Sequence, residues 1–415
     1  AFSKGIYSMR ELAGEYLLKH VDYIYLSANQ TVHHSTLSRF INYYSDEIIQ
    51  IFAQILYVAN NLSYVSKQLV AIDGVKIKAD ASKKFTGSYE SFLKRKETYE
   101  KMIENLLDRA KLLEDDEDNK DEKRKIKRLE KDYNNSLSKI NDFINDCKNK
   151  GLKKQINLTD PDSNLMEKDN HYFQGYNCQV GVNENGIILT NEVTNIATDR
   201  NNSRMMVKSI HDKLEDIGLC ENDIKGKVFL MDKGYQDSKS LGSLVRDNYN
   251  IYIPFMDYGN VDKCKQIRSH QCRLSKLGKI CILECPGGQL LKKDHANKDG
   301  KNWYYIFYTK KEKCTGCIYY NKCAGLLKDK KVFRVKREIF DNLEELNELR
   351  AKMKDKKEKH TYDKRMGIVE PVFGTLRYYR NFKSFLVRGI DKVKLQWSMV
   401  CSGFNLKKLY VLDNM

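Results

Sequence analysis

Two apolar runs that each stop on an aspartate constrain this chain more than any other feature. The first, QLVAIDGVKIKA, is rich in β-branched residues and carries Asp73, with Gly74, Lys76 and Lys78 just beyond. The second, KGKVFLMDKGYQD (226–237), is a short strand of buried type that ends on Asp232. Between them, NHYFQGYNCQVGVNENGIILTNEVT (170–194) holds two alternating runs around Asn183-Glu184-Asn185-Gly186, a β-hairpin pattern. After Asp232 come a helix (238–247) and the strand NIYIPF (250–255). An Asp-Gly pair by itself is a common turn. In this order of elements it reads differently, because two carboxylates arrive on adjacent strands. Carboxylates held together repel unless a cation sits between them. Hard oxygen ligands with open positions suit Mg²⁺ or Mn²⁺. Two such ions about 3.5–4 Å apart can clamp the attacking and leaving oxygens of a phosphoryl transfer, with no nucleophilic side chain.

The order strand, hairpin, strand, helix, strand is that of an α/β (α+β, mixed-sheet) RNase H-like core, expected over 67–255 and 336–415. Residues 1–66 read as an N-terminal helical domain, with helices over 8–20 and 46–60. Ser35 or Thr36 is the expected N-cap of a helix between them that presents Ser38 and Arg39 outward. The arrangement resembles a helix-turn-helix, and a plain helical bundle fits it equally. Residues 86–150 read as an inserted helical hairpin. One stripe is Met102, Ile103, Leu106, Leu107, Ala110 and Leu113. The other is Ile126, Leu129, Tyr133, Leu137, Ile140 and Ile144, and an acidic turn (114–122) separates the two. Residues 256–335 read as an irregular, Cys-rich insertion with one hairpin at 303–308. A long helix is expected over 338–360, a second from Asp363 to Leu376 that Pro371 interrupts or opens, and an apolar helix at the end.

The net charge is +17, which favours polyanionic partners. It is uneven: residues 91–150 hold 16 Lys/Arg against 15 Asp/Glu, whereas 350–410 hold 16 against 5. There are 11 cysteines and no apolar run long enough to cross a membrane. The first residues lack the pattern of a signal peptide, so disulfides are not expected. Seven cysteines fall in 264–323, where CTGC followed by Cys323 has the spacing of a thiolate knuckle. Cys285, Cys314, Cys317 and Cys323 are the expected ligands of a structural Zn²⁺, with Cys264 and Cys272 as substitutes and an iron–sulfur cluster or unligated thiols as the alternatives. His171 and His211 have no partner at ligand spacing and read as structural.

Five blocks then resemble, in order, those of DDE transposases from bacterial insertion sequences: IDGVKIKADASK, TDPDSNL, GYNCQVGVNENGIILTNEVT, VFLMDKGYQD and RMGIVEPVFGTLR. The resemblance implies DNA transposition by a two-metal mechanism. Asp73, Asp232 and Glu370 would be the catalytic triad and would hold Mg²⁺ or Mn²⁺. Gly74 would allow close approach of backbone or phosphate. Asp160 and Asp162, in the DPD block, read as a structural turn. Many relatives carry a Tyr-Arg-Glu-Lys signature near the glutamate. Tyr362, Arg365, Glu370 and Arg377 stand in its place, with one extra residue between Arg365 and Glu370. The DNA-contacting residues expected are Lys76, Lys78, Arg39, Tyr362, Arg365, Arg377, Lys383 and Arg388. Tyr378, Tyr379, Phe382 and Phe385 interleave with the basic residues, to pack or to stack on bases.

The expected partners are terminal inverted repeats and target DNA, with a homodimer forming on DNA in the bacterial cytoplasm. Two alternatives remain at this level. One is a metal-dependent nuclease of the same fold that cuts without joining. The other is a non-enzymatic repressor derived from a truncated transposase.

Overall fold

The computed structural model describes residues 1–65, 68–112, 120–150, 155–255, 264–277, 280–300, 302–327 and 329–414. Its central sheet is built from β1 (Leu69–Lys78), β2 (Asn164–Lys168), β3 (His171–Asn183), β4 (Ile188–Thr194), β5 (Val228–Met231) and β6 (Asn250–Tyr252). The spatial order is β2-β3-β1-β5-β6, with β4 also pairing with β3. β2 and β4 share one edge of β3, along residues 171–175 and 177–182 respectively. β1 runs antiparallel to β3 and parallel to β5, and β5 runs parallel to β6. Three antiparallel strands continued by two parallel ones make the core RNase H-like.

The register between β1 and β5 decides the position of the two aspartates. Leu69 lies opposite Val228 and Ile72 opposite Met231, so Asp73 and Asp232 are the next residues on neighbouring parallel strands. Nearly every side chain behind them is buried, including Ile72, Phe229, Leu230 and Met231. A strand with both faces covered reads as a continuous apolar run, and VFLM does.

Helix α1 (His34–Tyr43) and α2 (Ser45–Asn61) precede the sheet. The cap of α1 is His33, whose ring accepts from Ser35 N, rather than Ser35 or Thr36. Arg39 is exposed as expected, whereas Ser38 is half-buried and turns its hydroxyl to His34 O. The inserted hairpin consists of α3 (Tyr89–Leu112) and α4 (Lys120–Lys150). Ile140 and Ile144 are buried against Phe92 and Phe143, but Met102 and Leu107 face outward. The hairpin's contact stripe therefore begins earlier in α3 than the apolar spacing suggested. Most of the acidic turn, residues 113–119, lies outside the described residues.

α5 (Ser203–Asp216) and α6 (Ser238–Arg246) follow on either side of β5. The stretch expected to be irregular is a five-stranded antiparallel sheet instead. It comprises β7 (Arg273–Leu277), β8 (Ile280–Glu284), β9 (Leu290–Asp299), β10 (Asn302–Lys310) and β11 (Lys330–Lys336), ordered β11-β10-β9-β8-β7. Most of β9 is exposed and lysine-bearing, so it shows no alternation from which a strand could be read.

The long helix expected over 338–360 is broken. A short turn (Arg337–Asp341) precedes α7 (Leu343–Lys354) and α8 (Lys356–Gly374). The Asp355 side chain accepts from Lys357 N and Glu358 N and so starts α8 afresh. α8 passes through Pro371 without stopping and ends in a π-turn (Thr375–Tyr379). α9 (Ile390–Asp413) closes the fold, with Trp397, Val400 and Cys401 wholly buried.

Candidate active site

Asp73 stands in the middle of β1, which runs on to Lys78 rather than stopping at the aspartate as the apolar run suggested, because its pairing with β3 continues. Asp232 directly follows β5, and α8 packs against both strands. Asp73 Oδ1 accepts from its neighbour Gly74 N at 2.9 Å. Asp232 caps the turn Lys233–Tyr235, its Oδ1 accepting from Gly234 N at 3.2 Å. Arg365 of α8 reaches over, with Nη1 3.2 Å from Asp73 Oδ2. Its side chain is 11% exposed and that of Asp73 22%, so water screens the pair little. Burial pushes the Asp73 pKa up from the ordinary carboxylate value. The Arg365 charge and the Gly74 N–H pull against it, and the Asp232 charge adds to the rise. Tyr362, one turn before Arg365, sits beside the same three groups, and burial raises its pKa as well. Arg365 Nε is buried without a hydrogen-bond acceptor, while Nη1 is engaged by Asp73. An acceptor arriving at Nε would meet a prepared donor.

Glu370, the expected third carboxylate, is also on α8 but is exposed. Among the described residues no hydrogen bond or ion pair joins it to Asp73, Asp232 or Arg365. Nor is any group of three or more His, Cys, Asp or Glu side chains among them arranged to hold a metal ion. Two carboxylates at matched register are nevertheless a donor set that Mg²⁺ accepts, since it commonly takes one or two carboxylates and completes its shell with water and substrate phosphate.

On the opposite face of β1 lies a buried polar network that the sequence did not announce. Asn177 and Gln179 of β3 are 1% and 0% exposed. Gln179 Nε2 donates to Asp199 Oδ1 at 2.6 Å, and Asn177 Nδ2 donates to the same oxygen at 2.9 Å. Tyr235 OH donates to Gln179 Oε1. Gly74 is glycine because this network fills the space beside it. A Cβ there would lie 2.2 Å from Gln179 Nε2 and 2.6 Å from Asp199 Oδ1. That corrects the expected reason for Gly74, the approach of backbone or phosphate. The one available signal was a pair of polar residues at alternate positions of an otherwise apolar strand.

The expected DNA contacts are scattered around this centre. Lys76 Nζ donates to Glu167 O at 2.9 Å, and Lys78 is exposed at the end of β1. Arg377 is half-buried one turn beyond α8, and Lys383 is exposed. Arg388 Nε pairs with Asp80 Oδ2 at 2.8 Å. Phe382 and Phe385 belong to the core at 1% exposure each, whereas Tyr378 and Tyr379 are 77% and 89% exposed. Arg39 lies apart, on α1.

Asp160 and Asp162 have the structural role expected of them. Asp160 is fully buried and accepts from Tyr176 OH at 2.9 Å and from Gly389 N at 3.1 Å. Asp162 Oδ2 accepts from Ile390 N at 2.9 Å. The pair thus anchors the start of α9. His211 pairs with Tyr249 OH at 2.8 Å.

Cys285, Cys314 and Cys323 gather around the buried ammonium of Lys331, which hydrogen-bonds Cys285, and Cys317 lies beside Cys314 and Gly287. Burial raises the pKa of Cys314, and that of Cys272 to about 12. With a lysine cation among them and no coordinating arrangement in the described residues, the zinc expected there draws no support from this geometry.

Residues 284–410 match the family model described as a transposase DDE domain. With the RNase H-like sheet, the match supports a DDE transposase. It takes in α8, Glu370 and α9, while Asp73 and Asp232 lie outside the matched stretch. No curated protein matches the chain. No solved structure matches it either.

Proposed function

We propose that the chain is a DNA transposase in which Asp73 and Asp232 hold a divalent cation, Mg²⁺ or Mn²⁺, and α8 brings the remaining groups to the scissile phosphate. The observation that carries this reading is the register of β1 against β5, which sets the two aspartates side by side at the mouth of an RNase H-like sheet. A cation bound there would activate the attacking oxygen and stabilise the leaving one. The chain's own residues do the rest. The Arg365 charge partly offsets the desolvation of Asp73, and its buried Nε–H is a donor for a phosphate oxygen. Tyr362 buttresses Arg365. Glu370 supplies the third carboxylate by turning toward the pair when DNA is bound. Exposed Tyr378 and Tyr379, with Lys383 and Arg377, form a surface for flanking nucleotides. Terminal inverted repeats as the bound ends, strand transfer into target DNA and a homodimer on DNA belong to the same reading. So do the division of the chain at residues 66, 86–150 and 256–335 and the assignment of 1–66 as a DNA-binding unit.

The test is incubation of purified protein with duplex DNA carrying its flanking terminal repeats and Mg²⁺ or Mn²⁺. The expected result is strand-specific nicking and joining that Asp73→Ala, Asp232→Ala and Glu370→Ala each abolish. Nicking without joining would favour the nuclease. Tight binding with no cleavage in either metal would sink the enzymatic reading in favour of the repressor.

A further inference from the structure

Asp199 lies in the loop between β4 and α5, and neither the aspartate pair nor α8 accounts for it. Its two carboxylate oxygens face the two glycines that accompany the proposed cation ligands. Oδ1 occupies the space beside Gly74, next to Asp73, where a Cβ would come within 2.6 Å. Oδ2 faces Gly234, two residues beyond Asp232, where a Cβ would lie at 3.6 Å. One carboxylate therefore spans the backbones that present both ligands. The amides of Asn177 and Gln179 hold it in place at 2.9 and 2.6 Å. Gln179 then carries the link on to Tyr235, which closes the turn that Asp232 caps. Both donors are neutral, and among the described residues no lysine, arginine or histidine pairs with Asp199. Its negative charge is left unneutralised behind two other carboxylates, where it strengthens the attraction for a cation.

We propose that Asp199 is a positioning residue for the divalent cation. It fixes the segments after Asp73 and Asp232 relative to each other and adds a third negative charge to their field. The proposal rests on the reading of Asp73 and Asp232 as cation ligands. Groups that orient a ligand from behind commonly contribute 10- to 100-fold to metal affinity.

The experiment is Mn²⁺ titration of the DNA-free protein followed by electron paramagnetic resonance, with thermal melting of the metal-free protein alongside. Wild type is compared with Asp199→Ala, Asp199→Asn and Asp73→Asn. The expected result is Mn²⁺ binding that Asp73→Asn removes and that Asp199→Ala weakens about 10- to 100-fold. Asp199→Asn keeps the volume and an acceptor oxygen but not the charge, and should fall between. It remains decisive if the alanine variant fails to fold. A purely structural aspartate would lower the melting temperature and leave Mn²⁺ affinity below the transition within twofold of wild type. That outcome overturns the proposal and leaves the cation site standing. If wild type shows no Mn²⁺ binding that depends on Asp73, the cation reading falls first and the role of Asp199 with it.

Discussion

Asp73 is where residue-scale physics is most exposed. It is a carboxylate that the sheet buries, that Asp232 repels and that only Arg365 and one N–H support. Its pKa stands above the ordinary value of about 3.9. Because a raised acid pKa means the folded chain disfavours the ionised form, the metal-free protein loses stability as pH rises through it. Cation binding has the opposite sign, since it needs the ionised form. Mn²⁺ affinity should therefore begin to decline, on acidification, at a higher pH than an exposed carboxylate pair would show. Arg365→Gln removes the largest influence holding the pKa down, so it should move that decline further upward in pH. Titrations of Mn²⁺ binding across pH 5 to 8, of the order of the expected range, check this. An unchanged profile in Arg365→Gln would contradict the arrangement. The same scale explains Gly74: its lack of a side chain makes room for a cross-strand amide.

At the scale of elements, α8 and α9 matter most, and both are set by side-chain caps. Asp355 starts α8 at a point where the apolar spacing suggested an unbroken helix from 338, which decides the rotation at which Tyr362 and Arg365 meet β1. α9 is fixed by the DPD block, whose acidic pair resembles a metal site on paper and is an anchor in the fold. Asp160→Ala strands the buried Tyr176 OH and the half-buried Gly389 N. Leaving buried donors unpaired costs about 2–4 kcal/mol in total at such a site. Urea denaturation should show a loss of that size, and a stability equal to wild type would refute the anchoring role. In the Cys-rich sheet, residues 303–308, expected as a hairpin, lie within the single strand β10, and β9 gave no signal because nearly all of it is exposed and lysine-bearing.

At the scale of the whole molecule, the +17 charge makes DNA binding a salt-dependent property. Of the basic C-terminal region, Arg365 reaches the aspartate pair. Lys383→Ala should lower the magnitude of the slope of log K against log salt by about 1 if it contacts a phosphate. Tyr378→Ala, which removes a ring and no charge, should weaken binding to single-stranded DNA and leave the slope unchanged. Fluorescence anisotropy over a salt series separates the two, and identical effects from both substitutions would count against this surface.

The main strands of the central sheet, their order and the two aspartates they carry were legible in the chain alone, whereas the continuation of β1 past Asp73 to Lys78 was not. An apolar run, a turn and a carboxylate are local features, and strand pairing has few solutions once a hairpin intervenes. The tertiary structure decided what spacing cannot carry. The pairing of Arg365 with Asp73 depends on how α8 crosses the sheet. The network of Asn177, Gln179, Tyr235 and Asp199 joins residues from three elements. The outward position of Glu370 follows from the rotation of one helix about its axis. Local pattern determines which elements form, and packing between distant elements determines which side chains meet.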